Sequence, residues 1–145
     1  MVAEKTACLF CYGSLQLPSV MNIVTGREFI GQPAWLKDFA IFRMKQAEYP
    51  GITPRSGDTV GGILYRNLTK QDLRSLDAFE GEQYDRRQVI VSLESDLRQA
   101  AWVYVVRADR QNELTDETWT LSQFMANDYE QFMTRFVLGR WDLFT

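Results

Sequence analysis

Apolar positions change their spacing several times along this chain, and each change marks an element. Ala7 to Tyr12 is a continuous apolar run, the signature of a buried strand. Gly13, Ser14 and Leu15 follow. Pro18 and the apolar set Val20, Ile23 and Val24, closed by Gly26, predict a short helix opened by proline and ended by glycine. From Arg27 to Leu68 the pattern favours sheet. Phe39, Ala40, Ile41 and Phe42 predict a short buried strand, and Tyr49-Pro50-Gly51 predicts a break. Pro54 to Asp58 predicts a second break. Beyond it, Val60 to Tyr65 reads as a further strand, where Gly61 and Gly62 mark a bulge or a close approach of backbones. Thr69 with Asp72 resembles a capping box, opening a short helix that carries Leu73, Leu76 and Phe79 on one face and ends near Gly81. Val89, Val91 and Leu93 then alternate in one strand, and Ala101 to Val106 form another.

Beyond Asp109 the period lengthens. Phe124, Met125, Tyr129, Phe132, Met133, Phe136 and Val137 recur at three- and four-residue spacing up to Gly139, which predicts a long amphipathic helix over 116–139. Packing on the sheet is the commoner use of such an aromatic face, ahead of gripping a hydrophobic ligand or a partner. The polar face, with Asn127, Asp128, Glu130 and Gln131, argues against a partner-binding role. No repeat, low-complexity tract or proline-rich linker divides the chain, so residues 1–145 are expected to form a single α+β domain with the long helix covering a shared core.

Composition narrows the chemistry. The 145 residues are 46% hydrophobic and carry a net charge of −3, so the broad positive field needed for nucleic acid is missing. With no histidine, the chain cannot build a Ser-His-Asp or Cys-His site or a His-ligated metal centre, and no metal is expected. Catalysis must then use carboxylate, tyrosine, thiol, amine or backbone groups. No apolar run approaches the ~18–20 residues of a membrane-spanning helix, and Glu4 and Lys5 precede only the short run Ala7 to Tyr12, so neither an anchor nor a signal peptide is expected. Cys8 and Cys11 form a C-x-x-C on a strand, where positions i and i+3 face opposite sides; two separate reduced thiols are expected, consistent with the cytoplasm.

Three clusters could carry a site. Tyr12-Gly13-Ser14-Leu15 offers successive backbone N–H groups at a strand-to-helix turn, able to cradle a carboxylate or oxyanion, although from the turn alone a glycine that only relieves strain is the commoner reading. Tyr49-Pro50-Gly51-Ile52 is the second. In the third, Leu76 to Gly81 with Tyr84, Asp85 and Arg86, Glu80 follows Phe79 at the edge of an apolar face, where partial desolvation would make it a general base, although a solvated helix-end acid is the commoner reading of such a residue. Spacing alone does not choose among Asp77, Glu80 and Glu82. Tyr84 and Arg86 could orient a substrate or be a buried hydroxyl and a structural ion pair.

In their order these clusters resemble the gamma-glutamylcyclotransferase-like family, in its branch related to the plant avirulence-induced proteins. Phe10-Cys11-Tyr12-Gly13-Ser14-Leu15 is similar to the family's opening strand and loop, Tyr49-Pro50-Gly51-Ile52 to its Y-P-x-aliphatic step, and Val60 to Tyr65 to its V-x-G-x-(aliphatic)-Y strand. Leu76-Asp77-Ala78-Phe79-Glu80-Gly81 with Tyr84 and Arg86 resembles the L-D-x-F-E-G…Y-x-R signature, and the C-terminal helix with Trp119, Phe124 and Phe132 the extension of the plant branch. The loop reads Y-G-S-L where many relatives have Y-G-T-L. The resemblance implies a small mixed β-barrel-like sheet with flanking helices. It also implies a cofactor-free, transferase-type reaction that converts a γ-glutamyl amine or γ-glutamyl amino acid to 5-oxoproline and free amine. Glu80 would be the general acid/base; Gly13, Ser14 and Leu15 would cradle the glutamyl moiety, with Tyr12 shaping the pocket and Tyr84, Arg86 and Tyr104 as further binding candidates. The expected partner is a small γ-glutamyl substrate, met by a monomer or weak homodimer. The rival reading is a non-catalytic module that binds a small amino-acid-like ligand on the same fold.

Overall fold

The computed structural model describes residues 5–138. Strands β1 (Ala7–Cys11), β2 (Gly31–Arg43), β3 (Pro50–Leu68), β4 (Tyr84–Ser92) and β5 (Arg98–Val106) close into a barrel in the order β1-β3-β2-β4-β5. Only β1 and β5 run parallel; the other paired strands are antiparallel. Helix α1 (Pro18–Thr25) follows β1 through a short 3₁₀ turn, Ser14–Gln16, and α2 (Lys70–Glu80) joins β3 to β4.

Alternation along the strands sorts the apolar residues into two cores. Phe10 and Tyr12, with Ala101, Val103 and Val105 of β5 and Val60 and Leu64 of β3, fill the barrel interior, a cluster to which no helix contributes. Their neighbours in sequence, Leu9, Cys11, Tyr65, Tyr104 and Val106, point the other way and pack beneath the helices with Val20, Met21, Leu73, Leu76, Phe124 and Phe132. A strand covered on both sides must be apolar at every position, which is why Ala7 to Tyr12 and Ala101 to Val106 read as unbroken runs. Cys8 packs toward the first cluster and Cys11 belongs to the second, so the two thiols lie on opposite sides of β1, both free.

Two expectations change. The stretch Pro54 to Asp58 does not end a strand. β2 and β3 form one long hairpin, and the pairing skips from Lys37↔Thr59 to Phe39↔Pro54, with the extra residues looped out against Asp38, whose carboxylate accepts the Gly57 N–H at 3.0 Å. Phe39 to Phe42 is therefore the end of a much longer strand. The expected close approach does occur at Gly62, where a β-carbon would overlap the Cys11 carbonyl oxygen.

The second change concerns the C-terminal helix, which starts at Leu121 under a Thr120 cap rather than at 116. The residues before it are held by the end of β2 instead: Arg43 N–H donates to Glu117 O (2.8 Å), Thr115 N–H to Arg43 O (2.9 Å), and the Trp119 indole N–H to Glu48 O (2.9 Å). From Leu121 the helix alternates α and π turns to Leu138, and the π turns shift its face, burying Phe124, Phe132 and Met133 while leaving Met125 exposed. Its expected end at Gly139 lies outside the described residues. No helix among the described residues is long and apolar enough to cross a membrane.

Helix α2 carries the third sequence cluster, and its start is fixed as the Thr69…Asp72 spacing implies. The Thr69 hydroxyl accepts the Asp72 N–H (3.2 Å), and the Asp72 carboxylate accepts the Thr69 N–H (2.9 Å) while also pairing with Arg27. Thr69→Ala is expected to lower stability by about 1 kcal/mol, with Thr69→Ser close to wild type. Asp72→Ala, which also strips Arg27 of its partner, should cost more. Urea unfolding of the three variants checks the order.

Candidate functional site

Leu73, Leu76 and Phe79 anchor α2 on the core, and Gly81, at φ +83°, ends the helix immediately after Glu80 so that the chain can turn into β4. This placement brings the Glu80 side chain into a cavity of about 130 Å³ at the seam between the two cores. The end of β1 and the turn from Tyr12 to Leu15 form one wall, Tyr49 and Pro50 another, and Tyr84, Gln83 and Tyr104 a third. Phe79 and Phe132, meeting edge to face at 6.3 Å, complete it. Among the described lining residues Glu80 carries the one carboxyl group, and no lysine or arginine faces it. Burial, and secondarily the negative charge of Asp77, pushes its pKa up to about 8. Of the rival acids, Asp77 is bound by Arg86 and Tyr104 outside the cavity, and Glu82 is exposed; neither lines it.

The tyrosines around Glu80 have their protons committed elsewhere. Tyr12 donates to Tyr104 O (2.7 Å), Tyr84 to Pro50 O (2.6 Å), Tyr104 to the Asp77 carboxylate (2.8 Å) and Tyr49 to Gln83 Oε1 (3.0 Å). Carbonyl and carboxylate oxygens only accept, so each hydroxyl must be the donor; the Gln83 amide is oriented likewise, because its Nε2 donates to Glu113 (2.9 Å). The hydroxyl protons of Tyr12, Tyr84 and Tyr104 are thus turned toward protein acceptors. Burial raises the phenol pKa values of Tyr12, Tyr84 and Tyr104, and the nearby Glu80 charge adds to the rise in all three, so they remain protonated and do not act as bases. Cys11, which also lines the cavity, has its thiol pushed up by burial and then by Glu80, and is not an activated nucleophile.

Donors come from the turn. Gln16 N–H bonds to Gly13 O (3.1 Å) and Leu17 N–H to Ser14 O (3.0 Å), whereas the N–H groups of Gly13, Ser14 and Leu15 find no main-chain acceptor among the described residues, as expected at the opening of a helical turn. The Gln16 amide clamps the turn from behind, donating to Tyr12 O (2.7 Å) and Gly13 O (3.2 Å). Gly13 sits at φ −107°, so left-handed strain is not the reason for glycine here. Its reason is space: a β-carbon would press on the Pro50 ring at 3.3 Å.

Of the residues singled out in the sequence, Tyr12, Gly13, Ser14, Leu15, Glu80, Tyr84 and Tyr104 come together around the cavity. Arg86 does not. Its guanidinium pairs with Asp77 (2.9 and 3.4 Å) and lies 4.3 Å from the centre of the Trp102 ring. Tyr49 and Pro50, from the second sequence cluster, line the cavity too, as does Phe132 from the aromatic face of the last helix, where packing was the favoured reading; Gln83 carried no signal that would have placed it there. No cluster of three or more acidic or cysteine side chains able to hold a metal occurs among the described residues.

The fold is thus a small barrel with one carboxyl group in a cavity lined by tyrosines and a main-chain turn. The family model described as "Gamma-glutamyl cyclotransferase, AIG2-like" matches residues 9–121, and the chain belongs to that family. AIG2-like protein C of Arabidopsis thaliana is 34% identical over 136 residues, covering 92% of this chain and 78% of the relative. A solution structure of an Arabidopsis thaliana protein superposes with a TM-score of 0.71 at 28% identity, over 93% of this chain and 91% of that one. A structure titled gamma-glutamyl cyclotransferase shares the fold, with a TM-score of 0.63 at 22% identity over 71% and 68% of the two chains.

The raised pKa has a thermodynamic consequence. Glu80 ionises near pH 8 in the folded protein but near its ordinary value of 4.5 once unfolded. Between these limits the unfolded chain holds fewer protons, so this residue's contribution to stability falls as pH rises and levels off above about 8. Glu80→Gln, a neutral isostere, is expected to be indistinguishable from wild type near pH 4.5 and more stable by about 2–4 kcal/mol at pH 8. Thermal unfolding from pH 4.5 to 9 measures the difference; a constant offset would mean that the carboxyl group is not desolvated.

Proposed function

We propose that this chain is a gamma-glutamylcyclotransferase-type enzyme that converts a γ-glutamyl amine or γ-glutamyl amino acid to 5-oxoproline and free amine. The observation that carries this reading is Glu80, one carboxyl group desolvated in a cavity whose tyrosine hydroxyls have their protons committed elsewhere. Such a site suits an α-ammonium, which brings donors to the phenol oxygens and a proton for Glu80 to take. The freed amine attacks the γ-carbonyl carbon of the same molecule, forming the ring C–N bond, and the original γ-amide C–N bond breaks. Glu80 then returns the proton to the departing amine. Because nucleophile and electrophile belong to one molecule, holding the glutamyl chain folded supplies much of the acceleration.

In this reading the N–H groups of Gly13, Ser14 and Leu15 bind the substrate's oxygens through the main chain. A cavity of about 130 Å³ suits a glutamyl group, being well below the ~300–1,000 Å³ of pockets that take drug-sized ligands. The free Cys8 and Cys11 fit a reducing compartment such as the cytoplasm.

The test is an assay of purified protein against γ-glutamyl amines, γ-glutamyl amino acids and glutathione, reading 5-oxoproline and released amine. Turnover is expected for at least one member, with kcat/KM rising as pH passes through the Glu80 ionisation and Glu80→Gln slower by about a hundred- to ten-thousand-fold. Stoichiometric binding without 5-oxoproline would instead favour the non-catalytic module.

The turn gives a second check. Ser14→Ala is expected to stay within about tenfold of wild type, the scale of one neutral hydrogen bond. Gly13→Val forces the turn away from Pro50 and should lose far more activity. Equal losses, or an active Gly13→Val variant, would remove the turn from substrate binding.

A further inference from the structure

Arg86 and Asp77 lie outside the cavity, yet they form a bridge to it. Asp77 sits one helical turn before Glu80 on α2, so both carboxyl groups leave the same side of the helix. Its Oδ1 accepts two donors, the Tyr104 hydroxyl at 2.8 Å and Arg86 Nε at 2.9 Å, while Arg86 Nη2 reaches Oδ2 at 3.4 Å. Tyr104 carries the connection into the cavity wall. The Trp102 ring beneath the guanidinium, at 4.3 Å, holds Arg86 in place on β4. Asp77 is 43% exposed and Arg86 24%, so the pair is wet enough to respond to salt but close enough to the cavity to be felt inside it.

We propose that Asp77 and Arg86 are positioning residues for Glu80, an exposed anion and its partial counter-charge that together set the pH at which the cavity carboxyl group releases its proton. Asp77 opposes ionisation of Glu80 by like-charge repulsion through one turn of helix. Arg86 withdraws part of that charge, and Tyr104 is held in the wall by the same oxygen. Among the described residues the other titratable groups facing Glu80 are Cys11 at the end of β1, Tyr12 just after it, Tyr49 ahead of β3, Tyr84 from β4 and Tyr104 from β5. Burial holds all of these neutral, so near pH 7 they change little as Glu80 titrates. Among the described residues Asp77 is the neighbouring acid whose negative charge adds to burial in raising Glu80.

The inference rests on Glu80 as the site's proton carrier, but its test requires no turnover. In ligand-free protein labelled with carbon-13 at the glutamate carboxyl groups, the Glu80 resonance is identified by its loss in Glu80→Gln and followed from pH 5 to 10. Asp77→Asn is expected to lower the Glu80 midpoint by about half to one pH unit and Arg86→Met to raise it, while Arg86→Lys, which keeps the charge, stays near wild type. In wild type, raising NaCl from about 20 mM to about 500 mM should lower the midpoint by screening Asp77, a measurement that needs no variant to fold. Midpoints unchanged in Asp77→Asn and by salt, or moved in the same direction in Asp77→Asn and Arg86→Met as a loosened helix would do, overturn the proposal. Absence of 5-oxoproline from every γ-glutamyl compound, with the opposite shifts present, would count against the enzymatic reading alone.

Discussion

Strand β1, the segment Ile63 to Tyr65 of β3 and Ala101 to Val106 of β5 are apolar on both faces, and the rest of the molecule is built by covering them twice. The barrel buries one face by closing on itself; the other needs α1, α2 and the C-terminal helix. Two cores packed back to back do not fuse perfectly where their strands end. At that seam β1 runs into the turn at Gly13, β3 begins at Pro50, and α2 stops at Glu80. The cavity is thus a product of topology, and many of the residues that line it, from Cys11 to Leu15, Pro50, Glu80 and Tyr84, lie where elements end or begin. Terminating residues are free of the packing rules that force apolar side chains elsewhere, which is why a carboxyl group and several hydroxyls are found there.

The same arrangement explains how a carboxyl group tolerates such a place. Glu80 is partly buried, the protons of the neighbouring hydroxyls are turned to other acceptors, and a second anion lies one turn away. Every one of these features opposes ionisation. A neutral glutamine or an apolar residue at position 80 would avoid this cost, so the acid lowers the stability of the fold at neutral and higher pH.

Legibility in the sequence tracked the range of the interactions. The Thr69 cap, the Pro18–Gly26 helix and the doubly buried runs are set by neighbours a few residues apart, and each was readable. The unbroken β2–β3 hairpin was not, because the Pro54 to Asp58 insert has the composition of a turn, and only pairing with a distant strand carries the chain past it. The start of the last helix was missed for a related reason. Residues 113–119 have helical neighbours, but β2 and Glu48 claim their hydrogen-bonding groups first. In the site, Glu80 was separable from Asp77 and Glu82 only by resemblance until three-dimensional placement showed which acid turns inward. Arg86 shows the converse: a residue prominent in a sequence signature that touches the cavity only through another side chain.

Phe132 closes the wall from the far end of the chain, beyond residues 9–121 that the family model matches. Its helix is fastened by the ion pair of Arg135 with the buried Glu48, in the same loop that leads into Tyr49 and Pro50. During synthesis on the ribosome the strands are complete once Val106 has emerged, yet the cavity stays open on one side until the last helix docks. A nascent chain can therefore hold a finished barrel before it has a finished pocket. The same division lets the outer panel of the pocket be rewritten by changes near the C-terminus, with the barrel and Glu80 left untouched.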